Sequence, residues 1–579
     1  MACTGWTGWV AFQLATLSLV LGLMSGRLLA AASAGPASTN AASPLRTGFA
    51  SNPRQPTPPV LPQPGDWFED VTHRVGLTFV QQFCHNRIAN ILLSNGAGGA
   101  VLDFDNDGWM DIYLVNWGPL PGVTAAPPGT RRQPNRLFRN RGDGTFEDVT
   151  ARAGLEGSGF GSAAAAADFD HDGWTDLYVV NVGRNQLYRN RGDGTFEDVT
   201  DRAGVGDPGT GISATFLDID NDGWLDLFVA NYLTYKPDTA SEQNPGAYPG
   251  PLAYPGEPNV LYRNNRNGTF QDVTRASGLY VPGHRAMSVS AFDADWDGDV
   301  DLYICNDDTP NMLWLNDGQG HFHDVAIEAG VAFNSIGEAP GSMNAAIGDV
   351  NGDGLMDLFV TRLGYGSLYV RTPQGVYEDR MWSSGLGRLT QKYVGWGGAM
   401  LDFDNDGDLD LCVANGSAFV LDGTDTLLLE NDGTGRFTDA SGTGGVIFRT
   451  PISGRATAIL DFDNDGQQDI LLTALADRVF LLRNRCPKPR HWLKLRLQGS
   501  RSNPHGYGAR LTLTAGDLTL RAEALCPTGF LIQGDPRVHF GLGPRTQVDR
   551  LEIRWPSGRV QVLRGVPADQ ILTVREPDQ

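Results

Sequence analysis

Carboxylates spaced two residues apart along a glycine turn are the chemistry that this chain repeats. The nonapeptide D-x-[DN]-x-D-G-x-x-D occurs seven times, and its first, third, fifth and ninth residues carry oxygen. They are Asp103, Asp105, Asp107 and Asp111; Asp168, Asp170, Asp172 and Asp176; Asp218, Asp220, Asp222 and Asp226; and Asp293, Asp295, Asp297 and Asp301. The series continues with Asp349, Asn351, Asp353 and Asp357; Asp402, Asp404, Asp406 and Asp410; and Asp461, Asp463, Asp465 and Asp469. Glycine at the sixth position permits a tight turn, which wraps these hard oxygens around one centre. Ca²⁺ takes about six to eight oxygens, so four side chains, the carbonyl of position 7 and a water fill its shell without histidine or cysteine. A single match is readily an Asx-rich turn that binds nothing. Seven in register point to up to seven Ca²⁺ ions. The helical calcium hand has a longer loop ending in Glu; these loops end in Asp and run straight into strands such as Asp176-Leu-Tyr-Val179.

The elements that must hold these loops follow from the period. Successive loops start 65, 50, 75, 56, 53 and 59 residues apart, a spacing that suits propeller blades with insertions. Each unit reads as apolar strand, acidic loop, apolar strand, a strand such as Asn185-Gln-Leu-Tyr-Arg-Asn190, a Gly-Asp-Gly turn, and Phe196-Glu-Asp-Val-Thr200. Strand alternation bounded by Gly, Asn and Asp, with no long helical period, makes the array all-β. Four strands per unit predict a seven-bladed β-propeller over 66–486. The last unit lacks its F-x-D-V-T strand, and an unpartnered copy, Phe68-Glu-Asp-Val-Thr72, precedes the first loop. The N-terminal strand is therefore expected to close the propeller and remove two open edges. A small β domain follows over 487–575, with alternating strands such as Trp492-Leu-Lys-Leu-Arg-Leu497.

Val10–Met24 is apolar and is followed by small residues at Ala30–Ala34, so 1–34 reads as a signal peptide and the protein as secreted. The Pro/Ala/Ser-rich stretch 35–65 reads as a linker. No later stretch has the ~20 apolar residues that span a bilayer. The formal charge is −22, much of it local ligand charge that bound Ca²⁺ would offset, and such a chain is a poor partner for nucleic acid. Of the cysteines, Cys486 and Cys526 are the preferred disulfide, with Cys84, Cys305 and Cys412 as buried thiols. Asn267-Gly-Thr269 and Asn415-Gly-Ser417 are glycosylation sequons.

With F-x-D-V-T, L-Y-R-N, G-D-G-T-F and D-F-D-N-D-G-W-x-D in place, the chain resembles FG-GAP or VCBS repeat proteins. Gly506-Tyr-Gly-Ala-Arg510, Gly529-Phe-Leu-Ile-Gln533 with Asp535, His539-Phe-Gly-Leu-Gly543 and Val548-Asp-Arg-Leu-Glu-Ile-Arg-Trp-Pro-Ser-Gly558 look like an ASPIC/UnbV domain. The combination is similar to the cartilage acidic protein 1 family. That resemblance implies a secreted, calcium-binding extracellular matrix glycoprotein acting through protein interaction. Vertebrate members of that family carry an EGF-like module after this domain; its cysteine framework is not among these residues, so a shorter relative is expected.

Function then turns on loops. Insertions at equivalent repeat positions, Trp117–Pro134 and Tyr232–Pro258, fall on one face, and the second offers Tyr232, Tyr235, Tyr248 and Tyr254 as contacts for an extracellular protein or a glycan. The competing reading is an insertion that packs on itself. Two Arg-Gly-Asp triplets, Arg141–Asp143 and Arg191–Asp193, sit at the same repeat turn and are read as turn residues. The other function class is a secreted hydrolase or lyase, or a carbohydrate-binding protein, on the same scaffold. Catalytic motifs such as H-E-x-x-H or G-x-S-x-G are absent from the sequence, and the expectation is a protein that is not an enzyme.

Overall fold

The computed structural model describes residues 56–83, 87–120, 123, 133–237, 239, 248–339, 341–488 and 490–578. The expected signal peptide, most of the linker, Cys84 and most of the first insertion lie outside the described residues. Asn52–Gln579 forms one compact unit.

Within it, six antiparallel four-stranded meanders follow one another in sequence, and a seventh four-stranded sheet combines Gly454–Leu460, Asp469–Ala474 and Phe480–Asn484 with the N-terminal Phe68–Asp70. The second sheet shows the plan: Phe160–Ala167, Asp176–Val182, Gln186–Asn190 and Phe196–Asp198. Helices are single turns. Each acidic loop joins the first strand of a sheet to the second, and the residue before position 1 pairs with position 9, as Ala167 does with Asp176. Most first strands carry a register shift near their start, for example between Gly211 and Ser213, a bulge that bends the strand. First strands of neighbouring sheets crowd together, which explains runs such as Ala163–Ala167. At Gly397 a Cβ would stand 2.6 Å from the Arg455 carbonyl of the next sheet.

The repeated motifs are structural joints. In F-x-D-V-T, Asp198 Oδ1 accepts from the amide and hydroxyl of Thr200, and Thr200 Oγ1 accepts from Leu187 N of the preceding strand at 2.9 Å. The N-terminal copy does the same for the seventh sheet: Thr72 Oγ1 accepts from Leu481 N at 2.8 Å. Asn of L-Y-R-N ties each sheet to its predecessor. Asn190 Nδ2 donates to Phe104 O, Asn264 to Phe169 O, Asn316 to Ile219 O, Asn431 to Val350 O and Asn484 to Phe403 O. Asn140 of the first sheet donates to Phe462 O of the seventh at 2.7 Å; Arg371 holds this position in the fifth.

The described end of the linker is docked on the seventh sheet. Thr57 N donates to Asp477 Oδ1 at 2.7 Å, and Arg478 Nε donates to Thr57 O at 2.8 Å.

Two further sheets form the C-terminal part. His491–Gln498 lies between Val538–Gly543 and Gln570–Arg575, and the other sheet runs Leu518–Glu523, Arg510–Ala515, Gln547–Arg554, Val560–Pro567. They share a core of Leu493, Leu495, Leu511, Leu551, Ile553 and Trp555. One segment of this part leaves it and enters the array. Ile532–Gln533 pairs in parallel with Gly99–Ala100 of the first sheet, and Gln533 exchanges two hydrogen bonds with the backbone of Ala166 in the second. Thr528 Oγ1 donates to Val289 O of the fourth sheet, Phe530 packs on Trp396 of the sixth at 5.4 Å, and Asp535 N donates to Ile459 O of the seventh.

This excursion overturns the expected Cys486–Cys526 disulfide. Both are buried free thiols. Cys526 starts the inserted segment, against Thr215 and Phe216 of the third sheet, whereas Cys486 sits by Phe403, Asp404 and Trp492 at the sixth loop. Cys305 and Cys412 are buried thiols in strands.

Candidate metal centres

Each acidic loop is organised by its own carboxylates. In the first, Asp103 Oδ1 accepts from Asp107 N and Oδ2 from Gly108 N, both at 3.1 Å, while Asp107 Oδ1 accepts from Trp109 N at 3.0 Å. The ninth residue is the anchor: Asp111 Oδ2 accepts from Phe104 N at 3.0 Å and Oδ1 from Asn140 N at 2.7 Å. Asp176, Asp226, Asp301, Asp357, Asp410 and Asp469 bind the equivalent amides, among them Asn190, Asn264, Asn316, Arg371, Asn431 and Asn484. Position 9 thus joins loop, second strand and third strand whether or not an ion is bound.

The carboxylates converge. Ligand oxygens of Asp103, Asp105 and Asp111 lie within 4.8 Å of one another, as do those of Asp168, Asp170 and Asp176; Asp218, Asp220 and Asp226; Asp293, Asp295 and Asp297; and Asp402, Asp404 and Asp410. Position 3 tests whether the loops fit a cation. Asp105, Asp170, Asp220 and Asp463 each keep Oδ1 buried without a hydrogen-bond partner, while an arginine of L-Y-R-N takes the other oxygen. Arg139 bridges Asp105 and Asp107, Arg189 bridges Asp170 and Asp172, Arg483 bridges Asp463 and Asp465, and Arg263 binds Asp220. A buried carboxylate oxygen with no donor is costly, and an oxygen-seeking divalent cation at the loop centre satisfies it. These residues fit calcium; Asp349, Asn351, Asp353 and Asp357 of the fifth loop supply the same positions around a carboxamide.

Burial without a counter-ion drives the carboxyls toward their protonated form. It pushes Asp218 up to about 7, Asp402 to about 8 and Asp301 to about 9, with neighbouring aspartates adding to the rise. Asp168 rises to about 6 for the same reason, and burial carries Asp293 to about 6 against the lowering effect of Arg510.

Sequence reasoning missed the cations that the C-terminal part brings to these loops. Lys494 Nζ binds Asp461 Oδ2 at 2.6 Å with both side chains buried, Arg496 Nη1 binds Asp103 Oδ2 at 3.0 Å, and Arg510 pairs with Asp293. His505 Nε2 accepts from Asp168 N at 2.9 Å. The C-terminal part therefore covers the loop face. Alternating basic residues in Trp492-Leu-Lys-Leu-Arg-Leu497 were the available signal, but nothing local says what they oppose. Between the first two loops and the C-terminal part lies a polar cavity of about 470 Å³, lined by Asp103, His171, Arg496, His505, Arg537 and Arg575 among others.

The second insertion folds onto its own protein. Tyr232 is fully buried with its hydroxyl on Asp307 Oδ2, and Tyr254 is buried with its ring stacked on Tyr235 at 5.7 Å. Tyr248 reaches the loop after the second strand of the sixth sheet, packing on Phe419 at 5.5 Å. The expected four-tyrosine contact surface narrows to half-buried Tyr235 and Tyr248, because anchoring an insertion needs aromatic burial as much as binding does. Of the sequons, Asn267 is exposed in its turn. Asn415 is buried and its Nδ2 donates to Val413 O and Asp425 O, so a glycan there would break both bonds. In the Arg-Gly-Asp triplets, Asp143 and Asp193 each turn Oδ1 onto the following threonine at 2.6 Å, holding the hairpin.

Among the described residues no helix is long and apolar enough to cross a membrane. The FG-GAP-like repeat family matches residues 103–179, 168–229, 252–304, 297–360 and 402–472, which together exceed half of the chain, and the ASPIC and UnbV family matches 499–579. Cartilage acidic protein 1 of Mus musculus is 26% identical over 327 residues, 55% of this chain and 41% of its own length. The Homo sapiens protein of that name is 25% identical over 327 residues, 55% of this chain and 40% of its length. The chain thus spans less than half the length of these relatives. Among solved structures, an Agrocybe aegerita lectin aligns with TM-score 0.35 at 16% identity, over 66% of this chain and 87% of its own. Bacillus licheniformis rhamnogalacturonan lyase aligns with TM-score 0.34 at 14% identity, over 68% and 72%. The repeated acidic loops, their all-β sheets and the C-terminal match agree: the chain belongs to the FG-GAP-like repeat proteins and carries an ASPIC and UnbV domain.

Proposed function

We propose that this protein is a secreted, calcium-stabilised, seven-bladed propeller closed by its N-terminal strand, which acts outside the cell by binding another protein and not as an enzyme. The observation that carries the metal reading is the buried, donorless Oδ1 of Asp105, Asp170, Asp220 and Asp463. Ca²⁺ would be held by positions 1, 3, 5 and 9 and would offset the negative charge that the paired arginines and lysines leave. The protein's own residues preorganise the cradle: amides 5 and 6 orient the first aspartate, and the second and third strands clamp the ninth. Closure is supported by the pairing of Phe68–Asp70 with the seventh sheet and by the Asn140 bond from first sheet to last.

The extracellular reading is supported by the apolar leader and by the similarity to cartilage acidic protein 1. With the loop face covered by the ASPIC and UnbV domain, contact with a matrix or cell-surface protein falls to the insertion-bearing side. There Tyr235 and Tyr248 keep exposed edges, and Leu252, Phe419 and Val420 stand out as exposed apolar side chains. Asn267 is the retained glycan acceptor.

Calorimetric titration of the secreted chain with Ca²⁺, paired with melts in calcium and in chelator, tests this reading. Several sites coupled to a large rise in Tm are expected. A chain that binds no calcium and melts identically in both would be built on plain turns.

A further inference from the structure

The sixth acidic loop is wired differently from its neighbours. In the first, second, third and seventh sheets an arginine of the third strand takes one oxygen of position 3 and leaves the other donorless. In the sixth sheet Glu430 stands where that arginine would be, so the strand adds negative charge beside the loop. The compensation comes from the linker into the C-terminal domain. Lys488 Nζ binds Asp404 Oδ2 and lies 3.4 Å from Glu430 Oε1, and Arg490 Nη1 binds Asp404 Oδ1 and also Asp406 Oδ2 at 2.8 Å. Both oxygens of position 3 are therefore taken, on a side chain that is 1% exposed. The loop is covered as well: His539 Nε2 lies 2.8 Å from Asn405 Oδ1, and Gly541 sits so close to Asp402 that a Cβ would collide with Oδ2.

We propose that the sixth loop takes no calcium. Lys488 and Arg490 together carry the charge of one divalent ion and hold the oxygens that such an ion would need, so they are the loop's resident counter-ions. The loop then serves as a latch that fastens the linker and the first strand of the ASPIC and UnbV domain to the array. This inference rests on the calcium reading of the other loops and divides what that reading treats as one set.

The test counts Ca²⁺ bound per full-length chain by equilibrium dialysis and elemental analysis. Asp404→Ala is expected to leave the count unchanged, while Asp170→Ala lowers it by one. The double variant Lys488→Gln/Arg490→Gln is expected to gain one ion and to be cut faster by protease between residues 484 and 491. A loss of one ion in Asp404→Ala, or an unchanged count in the double variant, overturns the proposal; if Asp404→Ala fails to fold, the double variant decides alone. Absence of any bound calcium in the wild-type chain overturns the calcium reading itself, a result distinct from a chain that binds calcium at Asp404.

Discussion

A carboxylate at position 3 of the first, second, third and seventh loops has one oxygen on an arginine and one that faces no donor, and that asymmetry is what makes it sensitive to an ion. Asp170→Ala should remove one bound Ca²⁺ and, for a site held at ten times its dissociation constant, about 1.4 kcal/mol of calcium-dependent stability. The same variant measured in chelator should melt almost like wild type. The titration of the loops carries a definite sign. Burial raises Asp218 to about 7, Asp402 to about 8 and Asp301 to about 9, above the unfolded value of about 3.9. Their contribution to the metal-free fold is therefore full below the unfolded value and is lost as pH rises through about 7 to 9. Calcium requires the deprotonated groups, so the gap between melts with calcium and with chelator should widen from about pH 5.5 to about pH 8.5. A gap that narrows with pH would refute this assignment.

At the scale of elements, the N-terminal strand is bound to the seventh sheet by more than its ladder. Asp70 and Arg478 form a buried ion pair at 2.5 Å, with side chains 1% and 4% exposed, and Arg478 also holds the backbone of Thr57 and Pro58. Arg478→Ala would strand a buried carboxylate, which costs roughly 3–5 kcal/mol. Arg74→Ala, which removes the exposed partner of Glu69, should cost under about 1 kcal/mol. Denaturant unfolding of the two variants compares them directly, and equal losses would mean that the closing strand is not held by this pair. The strand's place was legible in the sequence because Phe68-Glu-Asp-Val-Thr72 repeats a motif whose bonds are local. Its partner, Arg478, was not, since no pattern links two residues that only closure brings together.

For the whole molecule, the inserted segment makes the array and the ASPIC and UnbV domain interdependent. Phe530, Leu531 and Ile532 are buried among residues of the array core, and Gln533 satisfies the backbone of Ala166. Removing residues 487–579 would expose that surface, leave those backbone groups unpaired and strip Lys494, Arg496 and Arg510 from their loops. The full chain should therefore show one calorimetric transition for both parts. The truncated array should melt well below it and be more dependent on calcium. Equal melting of truncated and full chains would mean that the segment contributes nothing to the array.

The repeat, its period and the donor set of the loops were determined by the sequence alone, because each repeated motif lies within about ten positions and rests on turn geometry that glycine and aspartate dictate, and the period is the spacing of its copies. The all-β character followed from the same local patterns. Only the tertiary structure decided what the loops face, where Cys526 goes and which tyrosines stay partly exposed. Those outcomes depend on packing between segments tens to hundreds of residues apart. Lys494 meets Asp461, Gln533 meets Ala166, and Tyr232 disappears into its own fold, through burial and charge pairing that no local spacing encodes.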